Sequence, residues 1–306
     1  MRALVTGAWG YLGLALTQRL AARGHVVVGA GHAPRVEAAR AAVPAGVEMF
    51  ACDVEALPAL IASRGQFDVI AHLAGGGGPQ RCAADPVAAV RANVRGTSGL
   101  VDAAARAGVG RVVFASTIAV YGTFREPVGP YREADDALPD DLYGAVKEAA
   151  EHAVVSRGGT SLRIANVYGA GSGVDMGVSG AVERFARAAA TGGAMKIFGT
   201  GGQRIDYVHV DDVCDAFLLA LEHAAPPSML NVGGGAPIAV RELAELALAI
   251  GRELGAAPTL TFEPAPEGKT WPDRALAIGA ARALGWAPKT SYEDGMRGLV
   301  RMMKGA

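Results

Sequence analysis

The sequence predicts an α/β protein: a doubly wound, parallel sheet followed by a smaller, mixed C-terminal region. Two observations carry this. The first 168 residues alternate short apolar, β-branched runs with longer helical patterns, the signature of strand–helix–strand repeats. The texture then changes at a glycine-rich stretch, "GAGSGVDMG" (169–177), after which strands and helices no longer alternate regularly. The strand candidates are "ALVT" (3–6), "VVVGA" (26–30), "VEMFAC" (47–52), "DVIAHLA" (68–74), "RVVFAS" (111–116) and "TSLRIANV" (160–167). They are nearly continuous apolar runs, as expected where helices cover both faces of a parallel sheet. Helical patterns lie between them, at 12–22, 86–107 and 142–155. Beyond 169 the sequence predicts helices at 178–190, 211–223, 240–254 and from about 292. "MKIFG", "IDYVHV" and "TLTFEP" read as short strands, and "MLNVGGG" lies between two of these helices. We therefore expect a nucleotide-binding domain over 1–168 and a mainly separate, substrate-binding region over 169–306. Some segments of that region are free to return to the first domain.

Composition narrows the function classes. The chain has 306 residues, 29 basic and 30 acidic, for a net charge of -1. It lacks the basic stripe that a phosphate backbone requires, so nucleic acid is not an expected partner. Cys52, Cys82 and Cys214 are far apart and form no Cys-x-x-Cys pair, which argues against a zinc site or a disulfide framework and for a reducing, cytoplasmic setting. The N-terminus runs straight into a strand, and no apolar stretch is long enough to span a bilayer.

The first chemical motif is "VTGAWGYLG", which places Gly7, Gly10 and Gly13 between the first strand and the first helix. Glycines there allow a tight turn and let backbone N–H groups approach a pyrophosphate. A dinucleotide is the expected cofactor. An acid that holds the ribose 2′-hydroxyl is expected at the end of the second strand. Gly31 stands there instead, followed by His32 and Arg35, and no acid occurs before Glu37. Both His32 and Arg35 can donate to a 2′-phosphate, so the pattern favours NADP over NAD. Asp53, after the third strand, is placed to reach the adenine amino group.

The second motif is Tyr143-x-x-x-Lys147 in "DLYGAVKEAA". The surrounding residues favour a helix, which brings the phenol and the ammonium onto one face. A nearby ammonium favours the phenolate. The fifth strand ends in "FASTIAVYG", carrying Ser116 and Thr117 to the carboxyl edge of the sheet.

Taken together, "TGAWGYLG", "HLAG", "DPVAAVRANVRGT", "FASTIAVYG", "YGAVK", "RIANVYG", "DYVHVDDV" and "NVGGG" resemble, in order and spacing, the extended short-chain dehydrogenase/reductase family. The likeness is to its nucleotide-sugar epimerase and dehydratase branch. The resemblance implies a Rossmann domain and NAD(P)-dependent hydride transfer at a secondary alcohol or ketone carbon of a sugar. It implies Tyr143 as acid/base, Lys147 as its activator and a holder of the nicotinamide ribose, Thr117 as a hydrogen-bond partner of the reacting oxygen, and Asn93 as a positioning residue. Tyr11, Leu12, Val54, Leu73, Ala74 and Gly75 would lie along the cofactor. So would Ala115, Ile164, Asn166 and Val167, at its nicotinamide end. Ser116, Tyr121 and Val178 would lie along the substrate with Thr117 and Asn166. The helices at 86–107 and 142–155 would form a homodimer.

Two departures narrow the chemistry. The 4,6-dehydratases carry Asp-Glu after the catalytic Ser/Thr; Ile118 and Ala119 stand here. The arginine that precedes "DY" and holds a diphosphate in many relatives is Ile205, with Arg204 displaced by one residue and hence onto the other face of a strand. The later Arg-Pro-Gly-Asp type segment is also missing, which leaves Arg204, Lys269 or Arg274 to meet a diphosphate. An epimerase and a net reductase both remain open, as does a reductase of a free sugar or hydroxy-ketone. A non-catalytic NADP-binding regulator is disfavoured by the retained Thr117, Tyr143 and Lys147.

Overall fold

The computed structural model describes all residues except 76, 123–128, 171–179, 268–271 and 306. In chain order the first half contains β1 (Arg2–Thr6), α1 (Tyr11–Ala22), β2 (Val26–Gly31), α2 (Ala33–Ala39), β3 (Glu48–Ala51), α3 (Leu57–Ser63) and β4 (Val69–His72). It continues with α4 (Gly78–Ala84), α5 (Pro86–Val90), α6 (Gly96–Arg106), β5 (Arg111–Thr117), α7 (Leu142–Val155), β6 (Thr160–Ile164) and β7 (Asn166–Tyr168). The second half contains α8 (Ala181–Thr191), β8 (Ala194–Phe198), β9 (Arg204–Ile205), β10 (Tyr207–His209), α9 (Val210–Glu222), β11 (Met229–Val232) and β12 (Ile238–Ala239). It ends with α10 (Val240–Glu253), β13 (Thr259–Glu263), α11 (Gly279–Ala283) and α12 (Tyr292–Gly305).

Seven strands form the central sheet in the order β11-β6-β5-β4-β1-β2-β3, every neighbouring pair parallel. Alternation along each strand sorts the core into two layers. Leu4, Val28, Ile70 and Phe114 pack with α3, α6 and α7. Ala3, Val5, Val27, Val69, Ala71 and Val113 pack with α1 and α9. A separate core joins α8, α10, α12 and β8 in the C-terminal region.

Three local differences from the sequence expectation matter for the site. The pattern at 160–167 breaks at Ala165: β6 stays in the main sheet while β7 pairs with β10 in a two-stranded sheet. The pattern at 86–107 is three segments, with a π-helical turn at Arg91–Arg95 between α5 and α6. Such turns are inserted where a helix must present a side chain out of its normal phase, and Asn93 sits in this one. Thirdly, β11 and α9, both beyond residue 169, belong to the main domain: β11 completes the sheet and α9 covers it.

Candidate active site

The carboxyl ends of β1, β2 and β4 open onto a cavity of about 790 Å³. Its floor is the glycine turn. Gly7 has φ +68, and a Cβ there would lie 2.8 Å from the Ala74 nitrogen. A Cβ on Gly13 would overlap the Gly7 carbonyl, so α1 packs directly on the turn. Gly10 caps α1 with no side-chain hydrogen bond, and the first turn of this twelve-residue helix carries no acid. The cavity thus meets the N-cap of α1, the helix end whose dipole and free N–H groups favour an anion. Leu73, Ala74 and Gly75 form the opposite wall.

His32, Arg35, Asp53 and Val54 line the end of the cavity beyond β2. His32 Nε2 lies 3.9 Å from the Asp53 carboxylate, both largely exposed. Arg35 is half-buried and makes no ion pair among the described residues, whereas its neighbour Arg40 pairs with Glu37 at 3.0 Å.

The titratable cluster is not part of this lining; it lies behind Gly75, at the carboxyl end of β5 and the start of α7. Asp141 caps α7 by accepting the Gly144 N–H at 2.7 Å, which fixes the helix that carries Tyr143 and Lys147. Thr117 Oγ1, at the end of β5, accepts the Ala119 N–H at 3.2 Å. Thr117 also shares a hydrogen bond with the Tyr143 phenol. Burial raises the phenol above its ordinary value, and that hydrogen bond draws it back. Lys147 is buried; its Nζ donates to the Ala115 carbonyl at 3.0 Å and lies 4.7 Å from the centre of the Phe114 ring. Burial lowers the ammonium to about 8. A Cβ on Gly75 would stand 3.5 Å from Lys147 Nζ and 2.5 Å from Asn93 Oδ1. Asn93 is held by its Nδ2 donating to Ala89 O at 2.9 Å, and its Oδ1 is buried without a hydrogen-bond partner. Ser116 Oγ is buried and unpartnered as well. Orphaned buried polar atoms beside a glycine-floored cavity fit a polar ligand that supplies the missing partners.

The structure therefore brings Gly7, Gly10, Gly13, Leu73, Ala74, Gly75, Asn93, Ala115, Ser116, Thr117, Tyr143 and Lys147 to one edge of the sheet. Leu12 and Val167 are partly buried against the main core, and Ile164 is buried in it. Tyr11 reaches across to donate to Gly169 O at 2.7 Å, and Asn166 Nδ2 donates to Asp206 O at 3.0 Å.

Two residues expected along the substrate have partners within the chain. Tyr121 is fully buried: its hydroxyl donates to Asn231 Oδ1 on β11 at 2.9 Å and its ring stacks on Tyr131. Arg204 donates from Nη2 to Pro237 O at 2.6 Å and pairs with Glu242 at 3.6 Å, as its strand phase requires. Val178 and Lys269 lie outside the described residues. Arg274 takes a different position. Its backbone pairs with Ile205 in an isolated parallel bridge, and its Nε and Nη2 are buried without partners.

Sequence reading did not assign Trp9, Arg81 or Cys82 to the site, yet they also line the cavity. The last two sit on α4, a short helix that follows a run of glycines and has no periodic signal of its own. At the start of α9 the His209 ring accepts the Asp211 N–H and lies 3.5 Å from the Asp211 carboxylate, while Asp212 accepts the Lys289 and Thr290 N–H groups.

A seven-stranded doubly wound sheet, an anion cradle after β1 and a Thr-Tyr-Lys cluster after β5 define a nucleotide-dependent oxidoreductase of the extended short-chain type. Residues 3–233 match the model of the NAD dependent epimerase/dehydratase family, and the chain belongs to that family. It is 35% identical over 99% of its length to UDP-glucose 4-epimerase of Mycolicibacterium smegmatis, covering 99% of that protein. It is 33% identical to dTDP-6-deoxy-L-talose 4-dehydrogenase (NAD(P)(+)) of Kitasatospora kifunensis, covering 97% of this chain and 94% of the relative. Among solved structures, UDP-glucose 4-epimerase of Thermus thermophilus in complex with NAD superposes with a TM-score of 0.82 at 30% identity, covering 100% of both chains.

Proposed function

We propose that the protein inverts or reduces carbon 4 of a nucleotide-linked hexose, with epimerisation the leading reaction. The observation that carries this is the gathering of Thr117, Tyr143, Lys147 and Asn93 next to the glycine-floored cavity, where Gly75 of its wall backs onto Asn93 and Lys147. A dinucleotide bound there supplies a hydride acceptor and donor. The chain supplies the proton chemistry: Tyr143 as the phenolate takes the hydroxyl proton from the sugar, becoming the phenol, and returns it when the ketone is reduced. Thr117 stabilises that oxygen through its hydrogen bond, and the Lys147 ammonium, anchored on Ala115 O, adds positive potential close by. Ile118 and Ala119 offer no acid pair for elimination of water, which separates this reading from dehydration. The relatives with 4-epimerase and 4-dehydrogenase names support both the carbon and the nucleotide.

For the diphosphate we assign Arg274, whose Nε and Nη2 are buried without partners and whose backbone is bridged to Ile205. For the cofactor we favour NADP, on Gly31 and the unpaired Arg35. Val87 and Val90 are exposed apolar residues on α5 and support a homodimer through α5, α6 and α7. The free thiols support a cytoplasmic setting.

The test is to incubate the protein with UDP- and dTDP-hexoses and each dinucleotide, and to follow the configuration at carbon 4 by NMR. Inversion at carbon 4 without net cofactor turnover is the expected result. The reading fails if no nucleotide or nucleotide-sugar binds at millimolar concentration while a free sugar or hydroxy-ketone is turned over.

A further inference from the structure

Trp9 is buried within the glycine turn, 1% exposed, and its indole is fixed at both ends. Nε1 donates to Phe50 O on β3 at 3.2 Å. The indole lies in a groove made by two glycines of β2, its six-membered ring over Gly29 and its five-membered ring over Gly31. A Cβ on Gly29 would overlap Trp9 Cη2, and one on Gly31 would stand 2.6 Å from Cδ1 and 3.3 Å from Nε1. A rigid, hydrogen-bonded ring cannot yield as the end of a flexible chain does. So no side chain fits at position 31 while Trp9 is in place.

That position is where a carboxylate would receive the 2′- and 3′-hydroxyls of an unphosphorylated ribose. We infer that Trp9 is the specificity-determining residue at the ribose end of the cofactor cavity: by filling the space over Gly31 it bars the acid and leaves a site suited to a ribose 2′-phosphate. The carboxylates nearby agree. Glu55 is taken by Arg91 at 3.3 Å and Arg95 at 3.8 Å, and Asp85 Oδ1 accepts the Ala88 N–H at 2.9 Å. Asp53 faces His32. Arg35 lines the same wall with no carboxylate paired to it among the described residues. An indole floor, an unpaired guanidinium and an imidazole suit a phosphate better than a diol.

This inference rests in part on the NADP reading, and a double-mutant cycle separates the two. Wild type, Trp9→Ala, Gly31→Asp and the double variant are compared by melting temperature without cofactor and by calorimetric affinity for NAD and NADP. Gly31→Asp alone is expected to lower the melting temperature and weaken both cofactors. The double variant is expected to melt higher than the sum of the single effects predicts. Its NAD-to-NADP affinity ratio should rise at least about tenfold over wild type, the scale of one charged hydrogen bond gained and one lost. If Gly31→Asp melts like wild type and by itself gains NAD affinity, the indole does not guard the position and the inference is overturned. Additive melting temperatures overturn it as well. If wild type prefers NAD while the melting temperatures still couple, the interlock stands, and the NADP reading and the phosphate assignment fall.

Discussion

The backbones of Ile205 and Arg274 lie side by side in a parallel bridge, and the Arg274 guanidinium has two buried nitrogens with nothing to donate to. An arginine missing from one strand is thus matched by an arginine on the segment paired with it. Burial pulls Arg274 below its ordinary value, and the carboxylates of Asp140 and Asp141 act to keep it charged. A buried, unsatisfied cation is costly unless an anion completes it. Arg274→Ala is expected to weaken UDP binding by roughly 1.5–3 kcal/mol, the worth of a charged hydrogen bond. It should not lower the melting temperature of the free protein. Calorimetry with UDP alone checks this, and unchanged affinity would remove Arg274 from the site.

Tyr143→Phe keeps the ring and removes the exchangeable proton. Turnover is expected to fall at least about 10²-fold, with dinucleotide affinity nearly intact. A variant with wild-type turnover of the nucleotide-sugar would show that the proton moves elsewhere.

Lys147 makes the free protein sensitive to alkali in an unusual direction. Burial holds it at about 8, below its ordinary 10.5. Between these values the unfolded chain binds the proton and the folded one does not, so this group's contribution rises with pH and is lost as pH falls through about 8. Lys147→Met should therefore be more stable than wild type at neutral pH and inactive. Urea unfolding from neutral to alkaline pH measures the difference.

His72 and Asp206 act oppositely in acid. Burial, with help from the Lys147 charge, lowers His72 to about 3; it is wedged between Thr6 Oγ1 at 2.7 Å and Thr97 Oγ1 at 2.9 Å. Its contribution is complete above 6.5 and is lost as pH falls towards 3. Burial raises Asp206 to about 6, against the pull of the Gly234 and Leu276 N–H groups. Its contribution is complete below 3.8 and is lost as pH rises through about 6. His72→Gln should steepen the loss of stability from mildly acid to neutral pH, and Asp206→Asn should steepen the gain. Unfolding midpoints between these limits would expose either sign if reversed.

Arg35→Ala should weaken NADP more than NAD, by roughly 1.5–3 kcal/mol. An equal loss for both dinucleotides would mean that Arg35 meets no ribose phosphate.

Much of this architecture was legible because its signals are local. The glycine turn needs three glycines at fixed spacing, and Tyr143 and Lys147 share a face by helical period alone. The π-helical turn at Asn93 was not legible: one extra residue in a turn leaves the apolar pattern of 86–107 almost unchanged. Nor was the burial of Tyr121, since a tyrosine after a strand looks alike whether it faces a cleft or stacks on Tyr131. Trp9 escaped notice because its meaning lies in two glycines on the next strand. A contact between residues so far apart in the chain leaves no periodic trace.

The place of β11 at the edge of the main sheet has a consequence for how the chain is made. Ser161, Leu162, Arg163 and Ile164 of β6 take their outer partners from Met229–Val232. Until residue 232 leaves the ribosome, β6 remains a bare edge of the sheet. Such an edge invites pairing with another nascent chain. The nucleotide-binding half thus becomes a finished body only after nearly half of the later region has been synthesised. A protein cut at residue 168 would keep the cofactor's glycine turn and lose the strand that seals the sheet.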